Sequence, residues 1–186
     1  MTLEAALRDE LPKAAQAIAG LSADQINWRP AEGAWSIGEC IAHLNAVNGL
    51  YADSIHAAIV EARKRGLTYA GEQREPKLFE RWFLKTMAAP RIKFKAPSKF
   101  QPAATALEPD RLLAAWKSSH ERLVQLAESA HGLDLLRVKV PSPVTSLLKV
   151  SLLCALTIPV AHNQRHLLQI ARLRQRIEST RAAASR

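Results

Sequence analysis

Apolar side chains recur along this 186-residue chain at three- and four-residue steps, the spacing that lays a single stripe along a helix. Leu3, Leu7, Leu11, Ala14, Ile18 and Leu21 form the first stripe and predict a helix over 2–20, ended by Gly20. Pro12 lies inside it; its missing N–H and its ring predict a bend or restart near Leu11. A short turn capped by Ser22 and the loop "WRPAEGAW" follow. Ser36 and Glu39 then have the spacing of a capping box, in which each side chain satisfies the other's backbone N–H. Ile37, Ile41, Leu44, Asn48, Tyr51, Ile55 and Ile59 carry this second helix to "EARKRG", whose basic end complements the helix dipole.

Periodicity weakens over residues 66–108, where "REPKLFERWFLKTM" predicts a short helix and "AAPRIKFKAPSKFQPAA" a strap punctuated by prolines. Pro109 opens a third long helix with Leu112, Trp116, Leu123 and Leu126 among its apolar positions and Gly132 beyond its end. "LDLLRVKVPSPVTS" reads as a connection, and a last helix is expected from about Leu147 to Ile177, with a kink at Pro159. Four substantial helices with long crossover connections predict an all-α four-helix bundle. The expected organisation is one domain over 1–178, with 66–108 as an insertion and 179–186 as a frayed tail.

Composition agrees with that class: 48% of residues are hydrophobic but only 5% are aromatic, a balance that suits helices better than sheets. Cys40 and Cys154 sit far apart within apolar patterns and read as small buried hydrophobes, making a reducing cytoplasm the expected setting. "MTLEAALRDELPK" has no apolar export core, and "SLLKVSLLCALTIPVA" is too short and too interrupted by Lys149 to span a bilayer. The net charge of +9 raises nucleic acid, acidic lipid or an anionic substrate as partners. The segment "PRIKFKAPSKF" offers Phe94 and Phe100 between cations, but a solvated strap whose aromatics pin it to the bundle is preferred over single-stranded nucleic acid or anionic membrane binding.

The polar interruption in the last stripe carries the chemistry. Ala155, Ile158, His162, His166, Gln169 and Leu173 share one helix face, while Arg165, Arg172 and Arg174 are expected in solvent. A buried imidazole needs partners, because an unpaired buried polar atom costs about 1–3 kcal/mol. Hydrogen bonds within the core would satisfy that need, and so would a divalent metal held by two rings at i and i+4 together with a third ligand. His43, two turns into the second helix, is the best third candidate; His56 and His131 look solvated.

Two stretches, "NWRPAEGAWSIGECIAHL" and "AHNQRHLLQI", resemble the W-x-P…W-S-x-x-E…H-L and H-x-x-x-H-x-x-Q signatures of the DinB-like superfamily. The resemblance covers the chain from the first long helix to the last. It implies a four-helix bundle of unusual connectivity, often a homodimer, with a divalent metal on His43, His162 and His166. Zinc or nickel is the leading expectation, with iron or manganese also compatible. Relatives include transferases and isomerases that use low-molecular-weight thiols such as bacillithiol or mycothiol. A metal-dependent transferase activating a thiol, or water, is therefore expected, with an electrophilic small molecule as partner. The alternative is a non-catalytic, metal-stabilised scaffold or sensor that binds small molecules.

Other residues have structural readings beside functional ones. Glu39 is a cap before it is a general base, and Cys40 is packing before it is a fourth ligand or redox thiol. Trp28, Pro30 and Trp35 are expected to pack the loop on the bundle, and Gln169 to hydrogen-bond a ligand histidine from outside. His120 shares a face with Trp116, either lining the site or simply packed.

Overall fold

The computed structural model describes residues 2–69, 71, 75–88, 100–102, 107–145 and 147–184. Its elements are α1 (Leu3–Ile18), α2 (Ala23–Asn27), α3 (Ile37–Lys64), α4 (Leu78–Ala88), α5 (Pro109–Ser129), β1 (Lys139–Pro141), β2 (Lys149–Ser151) and α6 (Leu152–Ala184). The long helices α1, α3, α5 and α6 form the bundle. Both α1 and α3 pack on α5 and α6, which sets α1 and α3 at opposite corners. The fold is all-α as expected, and no helix among the described residues is long and apolar enough to cross a membrane.

Local chemistry explains the helix starts. Ser36 Oγ accepts from the Glu39 N–H at 3.1 Å while Glu39 Oε2 accepts from the Ser36 N–H at 2.9 Å, which completes the capping box at the head of α3. Ser22 and Gln25 repeat the device on α2. Pro109 occupies the first turn of α5, where its missing N–H costs nothing.

Three expectations are corrected. α1 does not restart at Pro12 but runs as one helix through it: the proline is on the exposed side, so the carbonyl it fails to bond, that of Arg8, can be satisfied by water. α6 begins at Leu152 rather than Leu147, because Lys149–Ser151 pairs antiparallel with Lys139–Pro141, Val140 facing Val150. Strands of three residues are too short to show a two-residue alternation, so the connection hid a hairpin. α6 also continues to Ala184, although the side chains described beyond Ile177 are exposed. It runs unbroken through Pro159. Of the strap, residues 89–99, including Phe94, lie outside the described residues, whereas Phe100 is buried in the core.

The segment between α3 and α5 is tied to the bundle through α4. Buried Glu80 accepts hydrogen bonds from the Ser151 N–H at 2.6 Å and from the Ser151 hydroxyl at 2.8 Å, placing a carboxylate at the start of α6. Phe83, Leu84 and Met87 pack behind it.

The core is divided. One apolar cluster holds Leu7, Val47, Tyr51, Leu123 and Ile158 with the hairpin residues Val140 and Val150. The other holds Ala14, Ile41, Leu44, Trp116 and Ile170. Along every long helix the change from one cluster to the other passes a buried polar side chain: Glu10 on α1, Asn48 and His43 on α3, His120 on α5, and Asn163 and His166 on α6.

Glu80→Ala removes two charge-assisted hydrogen bonds and should cost about 2–3 kcal/mol in urea unfolding. Glu80→Gln, which can still accept from Ser151, should cost less.

Candidate metal centre

The capping box fixes where α3 begins, and its second turn carries His43 inward; α6 presents His162 and His166 from one face, four residues apart. The three rings meet edge to face, with centroids 5.2 Å apart for His43 and His162, 4.9 Å for His43 and His166, and 4.6 Å for His162 and His166. One ring nitrogen from each lies within 4.8 Å of the others.

Hydrogen bonds decide which nitrogens face the centre. His43 Nδ1 lies 2.6 Å from the Phe100 carbonyl, which can only accept, so the Nδ1 proton is placed there and the Nε2 lone pair points inward. Gln169 Oε1, 3.0 Å from His166 Nδ1, does the same for that ring, fulfilling the outer role expected of Gln169. His43 Nε2 and His162 Nε2 are 3.0 Å apart, compatible with both bonding to one ion at about 2.1 Å. His162 Nδ1 is buried and makes no hydrogen bond among the described residues.

The electrostatics keep the rings neutral, as ligation requires. Burial pushes His162 down to about 2, aided by the charges of His166, His43 and Arg165. Burial pushes His166 down to about 4, with His43 and Arg165 adding to it and the Gln169 bond opposing. His43 is lowered by burial despite the Phe100 bond. Three converging basic nitrogens with depressed proton affinity fit a divalent cation as their common partner.

Glu39 is fully engaged: Arg29 Nε reaches its Oε2 at 2.9 Å beside the Ser36 N–H, and a second guanidinium nitrogen binds Oε1. Burial raises its pKa, but the hydrogen bonds and charge of Arg29, with Ser36, more than offset this and hold it below the usual carboxylate range. It is a cap and ion-pair partner. Burial, with the nearby Glu39 charge, pushes the fully buried Cys40 thiol up to about 12, and Cys40 is outside the converging group. His56 and His131 are exposed, the latter 2.9 Å from Glu4 Oε1.

His120 stands apart from the three. Its Nδ1–H donates to the Trp116 carbonyl at 3.0 Å, and its Nε2 meets Asn163 Nδ2 at 3.2 Å; the same amide donates to Glu10 Oε2 at 3.0 Å. This second polar group binds α1, α5 and α6 at the level of the histidine group. Glu10 was visible only as a charged residue on the stripe between Leu7 and Ala14, and Asn163 as the neighbour of a candidate ligand.

Two further residues carry more than the sequence suggested. Trp35 does more than pack its loop: its ring lies 4.7 Å from that of His43 and stacks at 6.1 Å on that of His166, walling the centre. Arg165 is half-buried rather than fully solvated, and its charge is felt by two of the histidines. Trp28, expected as loop packing, is 38% exposed, and its ring carries the Arg176 guanidinium at 5.9 Å.

The depressed values give a pH dependence. As pH falls below the ordinary histidine value of 6.5, the unfolded chain takes up protons that the folded rings refuse. Stability of metal-free protein is therefore fully present above that value and is lost as pH falls from 6.5 towards the folded values. Calorimetry should find Tm level at weakly alkaline pH and falling steadily below pH 6.5.

Comparison with known proteins places the chain in a family. The family model described as DinB superfamily matches residues 6–170, which include all three histidines. No curated protein and no solved structure matches the chain. On the extent of the family match, this chain belongs to the DinB superfamily.

Proposed function

We propose that this protein holds a divalent metal on His43, His162 and His166 and uses it to activate a low-molecular-weight thiol, or water, for attack on an electrophilic small molecule. The observation that carries the reading is the convergence of three neutral imidazoles, two of them with Nδ1 held by carbonyl oxygens. Bound there, a divalent ion would supply Lewis acidity, lowering the pKa of a coordinating thiol or water towards neutrality. Zinc or nickel leads, and iron or manganese suits the same nitrogen donors.

The chain's own residues would divide the work. Neutral histidines leave the cation's charge uncompensated, and a set of three leaves coordination positions for a reactant. The Phe100 carbonyl and Gln169 hold two rings in orientation. Trp35 would exclude water from one side, and Arg165 adds a positive charge that favours an anionic reactant. Glu39 takes no part, since both its oxygens are committed to Arg29 and Ser36. The free, buried Cys40 and Cys154 support a reducing compartment, the setting in which such thiols accumulate. The homodimer is supported by the family resemblance, and sedimentation velocity reads it.

Elemental analysis of purified protein should find about one equivalent of metal, reduced to about a tenth or less by His43→Ala, His162→Ala or His166→Ala. Unchanged metal in all three variants would sink the site. Gln169→Ala should keep the metal but weaken its affinity about tenfold in chelator competition. With panels of cellular thiols and electrophiles, the metal-loaded protein should form conjugates that the histidine variants do not. Thiol binding without product would support the scaffold or sensor reading instead.

A further inference from the structure

The inner face of α4 is fully used, and that fixes what its outer face must show. With Glu80 held by Ser151 and Phe83, Leu84 and Met87 packed on the core, Leu78, Phe79 and Trp82 are turned outward. They are 82%, 53% and 61% exposed. They form one patch: Leu78 and Trp82 are four residues apart, and the Phe79 ring lies 6.1 Å from that of Trp82 and 6.3 Å from that of Phe83. Lys77, Arg81 and Lys85, all exposed, make a parallel four-residue row directly beside it. The one acidic residue within α4 is Glu80, which points inward.

The hairpin adds to this end of the molecule, since the Glu80 bonds join α4 to its foot at Ser151. Between its strands Val144 is 49% and Leu147 is 95% exposed, and Lys139 and Lys149 are exposed on the strands themselves. Residues 139–151 contain no acidic residue. Five of the eight exposed large hydrophobics among the described residues therefore belong to α4 and the hairpin. Scattered exposed apolar residues need no explanation, but an aromatic and aliphatic cluster bordered by cations does.

We propose that the outer face of α4, with the hairpin tip, is a docking surface for an anionic lipid membrane. Leu78, Phe79, Trp82 and Leu147 enter the boundary between headgroups and acyl chains while Lys77, Arg81, Lys85 and Lys149 meet lipid phosphates. Charge decides between this occupant and a second copy. A symmetric dimer through this face would set each basic row in the field of the other, on subunits that each carry +9, whereas an anionic bilayer complements both the apolar patch and its border. None of these side chains is among those that meet at the histidine centre, so docking would localise the protein without occupying its site.

Flotation with vesicles of phosphatidylglycerol and phosphatidylcholine, against vesicles of phosphatidylcholine alone, tests the assignment. Wild-type protein should float with the anionic vesicles only, and high salt should release most of it. Phe79→Ser with Trp82→Ser, which leaves the charge unchanged, should weaken binding about tenfold or more; Lys77→Glu with Arg81→Glu and Lys85→Glu should abolish it. Circular dichroism and metal content should match wild type in each variant, and Leu147→Ser gives a milder loss without touching the helix. Absence of wild-type flotation overturns the proposal, as does binding indifferent to Phe79→Ser with Trp82→Ser, which would leave only non-specific attraction of a basic protein. A lipid-free dimer that the same pair of substitutions dissociates gives the face to a second copy and likewise overturns it.

Discussion

The constraint around which this bundle is organised is the cost of burying polar groups halfway along its helices. Glu10, His43, Asn48, His120, Asn163 and His166 are all at least nine-tenths buried and lie where the two apolar clusters meet. A core of this length could have been filled with aliphatic side chains at no desolvation cost. Asn163 reaches Glu10 and His120 across α1, α5 and α6, and His43 meets His162 across α3 and α6, so these contacts couple the helices in a specific register, while the Asn48 amide makes no side-chain hydrogen bond among the described residues.

Within the belt the chemistry separates into two groups that share α6. On one side Asn163 bridges Glu10 and His120, closing α1 and α5 against α6 with hydrogen bonds. On the other, His162 and His166 meet His43 with their basic nitrogens turned towards one another, an arrangement that suits a cation better than it suits another donor. The first group has the character of a clasp and the second of a ligand set. Their adjacency holds one turn of α6 by polar contacts on both faces, and Trp35 and the Phe100 carbonyl close around His43.

The segment between α3 and α5 belongs to this scheme instead of being an ornament on it. Its α4 is anchored to the start of α6 by Glu80, and its end delivers Phe100 into the core with a carbonyl on His43. The same packing that uses the inner face of α4 leaves its aromatic and basic outer face to solvent, so fixing the helix and creating the exposed surface are one event.

Much of this was legible along the chain because it depends on neighbours a few residues apart. The stripes in α1, α3, α5 and α6, the Ser36 and Glu39 box, the Pro109 start and the inward-facing pair His162 and His166 all follow from helical spacing. His43 is the best third candidate from its place two turns into the second helix, but the residues are 119 positions apart and no local rule links them, so it was the resemblance of two distant motifs that strengthened the choice. What only the tertiary structure decided is of that long-range kind: the Phe100 carbonyl on His43, Trp35 against two histidines, the Glu10 clasp, and the hairpin that delays α6 to Leu152. Even Pro12, a helix breaker by its own chemistry, is tolerated because packing turned it to the exposed side of α1. Periodicity specifies which face of a helix seeks burial; the partner that face finds depends on how the whole chain packs.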